Sequence, residues 1–94
     1  IDKVHYENML QNSQIAMCFT DGIMKPTTAY PINPNGSSYG VTAITAGNGR
    51  ITAMMPHPER VFLNQQLSWS PYKKIGFSPW HQMFRNAYKF AKNL

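Results

Sequence analysis

Charge is what this sequence has least of. Only 14% of its 94 residues are Asp, Glu, Lys or Arg, against about 25% in an average soluble domain. A small independent domain has a high ratio of surface to volume and needs charge to cover it. The shortage implies that part of the surface is meant to be covered, by the rest of a larger chain or by a subunit. Acid is scarcer still, with four carboxylates in all and Glu59 alone after Asp21. A single cysteine, Cys18, excludes an internal disulfide framework and fits a reducing, cytoplasmic setting. No apolar stretch approaches the ~18 residues of a membrane span. No N-terminal run fits a signal peptide, since Asp2, Lys3, His5, Glu7 and Asn8 break up the apolar residues there. The chain begins at Ile1 rather than at a methionine. The expectation is a processed or trimmed piece that starts in mid-domain.

What is present reads as globular, with 43% hydrophobic and 13% aromatic residues. This length makes one domain at most, and it buries only about 60–70% of its unfolded surface. The net charge of +5 invites a nucleic-acid reading. The cations are dispersed, however, and the longest adjacent pair is Lys73-Lys74. Neither nucleic acid nor membrane is expected as a partner.

Residues 1–13 carry little periodic signal. Gln14–Thr20 is a short apolar run ending at the turn pair Asp21-Gly22, and reads as a buried strand. Met24–Tyr30 reads as a further strand interrupted by Pro26. Pro31–Ser38, with two prolines and Asn35-Gly36, reads as a loop. Val41–Ala46 and Arg50–Met55 flank Gly47-Asn48-Gly49, a strong hairpin signal. Ile51, Ala53 and Met55 alternate with Thr52 and Met54, which suggests a strand covered on both faces. Glu59–Gln66 reads as a short helix and Leu67–Ser78 as irregular. The last element is an amphipathic helix with Ser78 as N-cap and Pro79 at its first position. Trp80, Met83, Phe84, Ala87, Tyr88 and Ala91 form its apolar stripe, expected in the core. The fold class that follows is α/β, a partial sheet with a β-hairpin and a C-terminal amphipathic helix.

The chemistry concentrates in Met55-Pro56-His57-Pro58-Glu59-Arg60. Here a histidine and a carboxylate stand two apart, directly after a strand. Pro56 and Pro58 disfavour the α region at Met55 and His57. In an extended backbone residues i and i+2 point to the same side. Glu59 could then hold one imidazole nitrogen and leave the other to take a proton from a thiol or hydroxyl. The bland alternative is a surface ion pair between Glu59 and Arg60, with His57 a satisfied turn residue. A metal site has little support, because three histidines and one cysteine include no ligand pair at metal spacing. Nor is a nucleophile evident. Cys18 lies between Met17 and Phe19 in an apolar run, without the small residues of a nucleophile elbow, and reads as a core residue. No serine lies in a Gly-x-Ser-x-Gly frame.

Several strings, in order, closely resemble the C-terminal end of the phosphoribosylformylglycinamidine synthase family, in its triad-type glutamine amidotransferase domain. They are Tyr30-Pro31-Ile32-Asn33-Pro34-Asn35-Gly36-Ser37, Val41-Thr42-Ala43, Met54-Met55-Pro56-His57-Pro58-Glu59-Arg60-Val61-Phe62, Ser78-Pro79-Trp80 and Phe84-Arg85-Asn86-Ala87. The resemblance runs from about Gln14 to the end. It implies that residues 1–94 are the C-terminal portion of a larger amidotransferase-type α/β domain. It also implies that His57 and Glu59 are the base and orienting acid of a Cys-His-Glu triad whose cysteine lies upstream of Ile1. Glutamine is then the small-molecule substrate, and the upstream remainder of the polypeptide is the partner. The ammonia released would serve ATP-dependent amidine formation in purine biosynthesis. ATP and magnesium are implied for the synthetase region, with no cofactor in this part. Two stretches depart from the family. Leu63–Gln66 lacks a basic residue often found there, and Tyr72–Ile75 is basic where relatives are commonly acidic. On this reading the isolated chain is inactive and prone to self-association. The rival readings are a stand-alone basic binding module and a subunit-docking module, both without catalysis.

Overall fold

Val41–Ala46 forms the central strand of a three-stranded antiparallel sheet, and it has the sequence for that place. Val41 and Ala43 are its apolar core residues, Ala43 only 2% exposed, and Thr42 between them is buried on the other face. The computed structural model describes residues 1–71 and 75–94. Its chain divides into two units, residues 1–56 and 57–94.

In the first unit, α1 (Lys3–Gln11) precedes β1 (Ile15–Cys18), β2 (Val41–Ala46) and β3 (Ile51–Met54), and the strands lie in the order β1-β2-β3. The predicted hairpin is present. Ala46 pairs with Ile51, and Gly47, Asn48 and Gly49 all take positive φ, as a tight reversal requires. β1 pairs with β2 through an irregular register, with Ile15 opposite Ile44 and Cys18 opposite Val41. The strand predicted over Gln14–Thr20 thus exists, shorter and only half-buried.

Three expectations for this unit need correction. Residues 1–13 contain a helix. It rests on a cap rather than an apolar stripe, for Asp2 accepts from the His5 backbone N–H at 2.8 Å and no residue of α1 is buried. That hydrogen bond also holds the Asp2 carboxyl below the usual carboxylate range. Met24–Tyr30 is not a strand. Asp21 Oδ1 accepts from the backbone N–H of Ile23 and of Lys25, closing a turn, and only an isolated bridge between Thr20 and Pro26 follows. Finally, β3 is not covered on both faces. It is an edge strand, and Ile51 is 64% exposed.

Pro31–Ser38 is the predicted loop, and its anchor is Asn33, 1% exposed. Asn33 Nδ2 donates to Thr27 O at 3.0 Å and Ser37 O at 2.9 Å, while its Oδ1 accepts from Ser37 N at 3.1 Å. The loop leads through a 3₁₀ turn, Ser38–Gly40, in which Tyr39 stacks on Tyr6 with ring centroids 4.1 Å apart. Gly40 then enters β2 at φ +72°, where an added Cβ would meet Thr27 O at 2.8 Å and Phe19 O at 3.0 Å. Gly40→Ala is therefore expected to destabilise the fold by about 1–3 kcal/mol, read as a lower denaturant midpoint. An unchanged midpoint would mean that this backbone approach is not needed.

The second unit has two short 3₁₀ turns, Pro58–Arg60 and Asn64–Gln66, where one helix was predicted. Leu63 lies between the two turns with an extended backbone and bridges to Phe77, which breaks the predicted helix there. Of the irregular 67–78 stretch, Tyr72–Lys74 lie outside the described residues. The last helix, α2, spans His81–Lys92, with Trp80 rather than Ser78 at its cap position. Ser78 still starts the helical path: its Oγ accepts from Trp80 N and its carbonyl from His81 N, a 3₁₀ turn ahead of the α-helix. The apolar stripe of α2 is not core. Phe84 is 46% exposed, and Met83 and Tyr88 are exposed too. Among the described residues no helix is long and apolar enough to cross a membrane.

An exposed edge with unpaired backbone groups templates association. The isolated chain is expected to elute from gel filtration as more than a monomer, and Ile51→Lys on β3 to shift it toward the monomer. A clean monomer at all concentrations would contradict this.

Candidate active site

The site is built on a proline-bracketed turn. His57, at φ −112° and ψ 85°, precedes the Pro58–Arg60 turn, which Pro58 starts with a fixed φ. Arg60 N donates to His57 O at 3.0 Å and Val61 N to Pro58 O at 3.1 Å. The backbone is thus non-helical at His57, as expected before proline, but turns at once instead of running on extended. That turn still puts the two side chains together.

His57 Nδ1 lies 2.9 Å from Glu59 Oε1. The hydrogen bond from the Glu59 backbone N–H, followed by that from His57, holds the carboxyl below the usual carboxylate range. An ionised carboxylate is only an acceptor, so Nδ1 carries the proton and Nε2 of the neutral ring has its lone pair free. Both side chains are more than half exposed, at 57% and 59%, so solvent screens the pair and it adds little to stability. What it adds follows the lowered carboxyl: it is present above the ordinary carboxylate range and lost as pH falls through the depressed value. The alternative pairing of Glu59 with Arg60 is not formed. Among the described residues the partner of Glu59 in an ion pair is His57, and Arg60 is a minor electrostatic influence.

The turn is held from its C-terminal side by Ser78, a residue whose part here the sequence did not reveal. Ser78 is buried, its N–H donates to Phe62 O at 2.7 Å, and its Oγ donates to Val61 O. Asn64 N donates to Gly76 O at 2.9 Å alongside. Segments 61–64 and 76–78 are thereby tied together immediately after Glu59. The sequence signal at Ser78-Pro79 was that of a helix start, which gives no hint of the second bond to Val61.

Cys18 is the last residue of the edge strand β1, paired opposite Val41 rather than set at a strand–helix elbow. Burial pushes its thiol up, the reverse of what activates a nucleophile. Among the described residues no three His, Cys, Asp or Glu side chains gather to hold a metal ion.

Against known proteins, the sequence pattern of the CobB/CobQ-like glutamine amidotransferase domain matches residues 2–91. That match takes in both units, the hairpin and the His57–Glu59 turn. The chain belongs to the CobB/CobQ-like glutamine amidotransferase family, a domain family that occurs in phosphoribosylformylglycinamidine synthases.

Proposed function

We propose that His57 and Glu59 are the base and the orienting acid of a Cys-His-Glu triad that hydrolyses glutamine, and that the thiol member belongs to polypeptide outside these 94 residues. The observation that carries this reading is the 2.9 Å contact from Nδ1 to Glu59, which leaves Nε2 as the free base. The family supports glutamine as substrate.

In the proposed reaction the thiol gives its proton to His57 Nε2. The thiolate then attacks the side-chain amide carbon of glutamine. Glu59 stabilises the imidazolium that forms and keeps the ring from turning. The imidazolium returns its proton to the amide nitrogen, and the carbon–nitrogen bond breaks to release ammonia and leave a γ-glutamyl thioester. His57 next takes a proton from water, whose oxygen attacks the thioester. Glutamate leaves, and the proton returns to the thiol.

We place this chain at the C-terminal end of the glutaminase domain of a phosphoribosylformylglycinamidine synthase, with its action in the cytoplasm. The strings Asn33-Pro34-Asn35-Gly36 and Met55-Pro56-His57-Pro58-Glu59-Arg60, at their observed separation, support that finer assignment. The ammonia would be used where ATP, with magnesium, activates an amide for conversion to an amidine. On this reading ATP and magnesium are held by the synthetase region, and the described residues serve only the glutamine side of the reaction. The experiment is substitution of His57 and Glu59 in the complete enzyme, with glutamine and free ammonia compared as nitrogen sources.

A further inference from the structure

The Asn33–Ser37 loop ends in a contact that packing does not explain. Asn33 pins Ser37, as described above. Asn35 Oδ1 accepts from Ser37 N at 3.2 Å and from Ser37 Oγ at 2.7 Å. Those bonds leave the Asn35 amide nitrogen facing Met55 Sδ at 2.8 Å, and Ser37 Oγ lies 3.8 Å from the same sulfur. The backbone of Met55 is fixed as well, since its N–H donates to Thr42 O at 3.0 Å and extends the ladder one residue beyond β3. Met55 is therefore held by main chain and side chain where the chain leaves the sheet.

Stability alone gives no reason for this arrangement. Asn35 and Met55 are both exposed, and a thioether is a weak acceptor. A leucine there would fill the same space. What distinguishes Met55 is its position, because Pro56 alone separates it from His57. Pro56 has a fixed φ, and a residue before proline is confined to the extended region. The two prolines thus restrict the backbone at Met55, Pro56 and His57, the residues through which Met55 leads into the turn.

We infer that Asn35 and Ser37 are positioning residues for glutamine hydrolysis, acting on Met55 to fix the start of the His57 turn. This rests on the reading of His57 as the base.

The test uses the complete enzyme with Asn35→Ala, Ser37→Ala, Met55→Leu and the double variant Asn35→Ala/Met55→Leu. A misplaced base lowers the chemical step without weakening ground-state binding. The expected result is a fall of about tenfold in glutamine-supported kcat for Asn35→Ala and Met55→Leu. KM for glutamine, ammonia-supported turnover and the denaturation midpoint should stay as in the parent enzyme. The double variant should lose no more than either single one, because both remove the same contact. Additive losses would overturn the inference, and so would a lowered midpoint that tracks the activity loss. A raised KM with kcat retained would overturn it too, by placing Asn35 against the substrate. If His57→Ala itself retained glutamine use, the premise would fall and the inference with it. Additive losses beside an inactive His57→Ala enzyme would sink the inference alone.

Discussion

Replacing His57 with alanine in the complete enzyme is expected to abolish glutamine-supported synthesis and to leave ammonia-supported synthesis intact. A positioned general base contributes about 10²–10⁴ in rate. His57 would serve twice in each turnover, once for the thiol and once for water, so a loss of at least about 10³-fold is expected. Free ammonia bypasses both steps. Amidine formation measured with glutamine and then with ammonium, at the same pH and saturating nucleotide, separates the two. Loss of both activities would mean that His57 supports the fold and not the chemistry.

Glu59→Gln should abolish glutamine use too, though the residue is nearly isosteric. Its carboxylate can only accept, and so it enforces one tautomer of His57. A carboxamide offers an N–H₂ group, which can donate to Nδ1 and so leave the proton on Nε2, where the lone pair is needed. It also lacks the charge that stabilises the imidazolium. Because Glu59 is exposed and adds little to stability, the variant should fold as the parent does. Lost activity with an unchanged denaturation midpoint is the expected signature.

Where the sequence was informative, one local physical signal dominated. The hairpin was legible because Gly47-Asn48-Gly49 supplies three left-handed positions between two β-type runs. The Pro31–Ser38 loop was legible because two prolines and Asn35-Gly36 leave the chain few other options. The failures came where a side chain took over hydrogen bonds that periodicity cannot see. Asp21 closed a turn and ended the run toward Tyr30. Asp2 capped a helix that has no buried residue, so an apolar pattern had nothing to report, although an Asp at its start was a readable cap. The stripe on α2 was read correctly as amphipathic, but a stripe says only that a face wants cover. It does not say that the cover lies in the same 94 residues. At the site, proximity of His57 and Glu59 was expected from an extended i, i+2 spacing, and the turn at Pro58–Arg60 reaches it by a different backbone path. The choice of Nδ1 and the support from Ser78 needed coordinates, because they depend on where Val61 and Phe62 come to rest.

The isolated chain should show no glutaminase turnover, and a glutamine-analogue electrophile should leave Cys18 unlabelled. An ordinary thiol of pKa about 8.5 is only a few per cent thiolate near neutral pH. Burial in β1 raises the Cys18 value and reduces that fraction further. A productive cysteine also needs a base at hydrogen-bond distance and amide donors aimed at the developing oxyanion. Cys18 pairs with Val41 across the sheet, and the next amide, Phe19 N–H, is already given to Gly40 O at 2.8 Å. Mass spectrometry after incubation with the electrophile checks this directly, with general alkylation in denaturant as the positive control. Slow labelling that rises with pH and persists in His57→Ala would be ordinary thiol reactivity. Rapid labelling of native Cys18 that vanishes in His57→Ala would show a working pair of residues within this chain, and a missing thiol would no longer be needed.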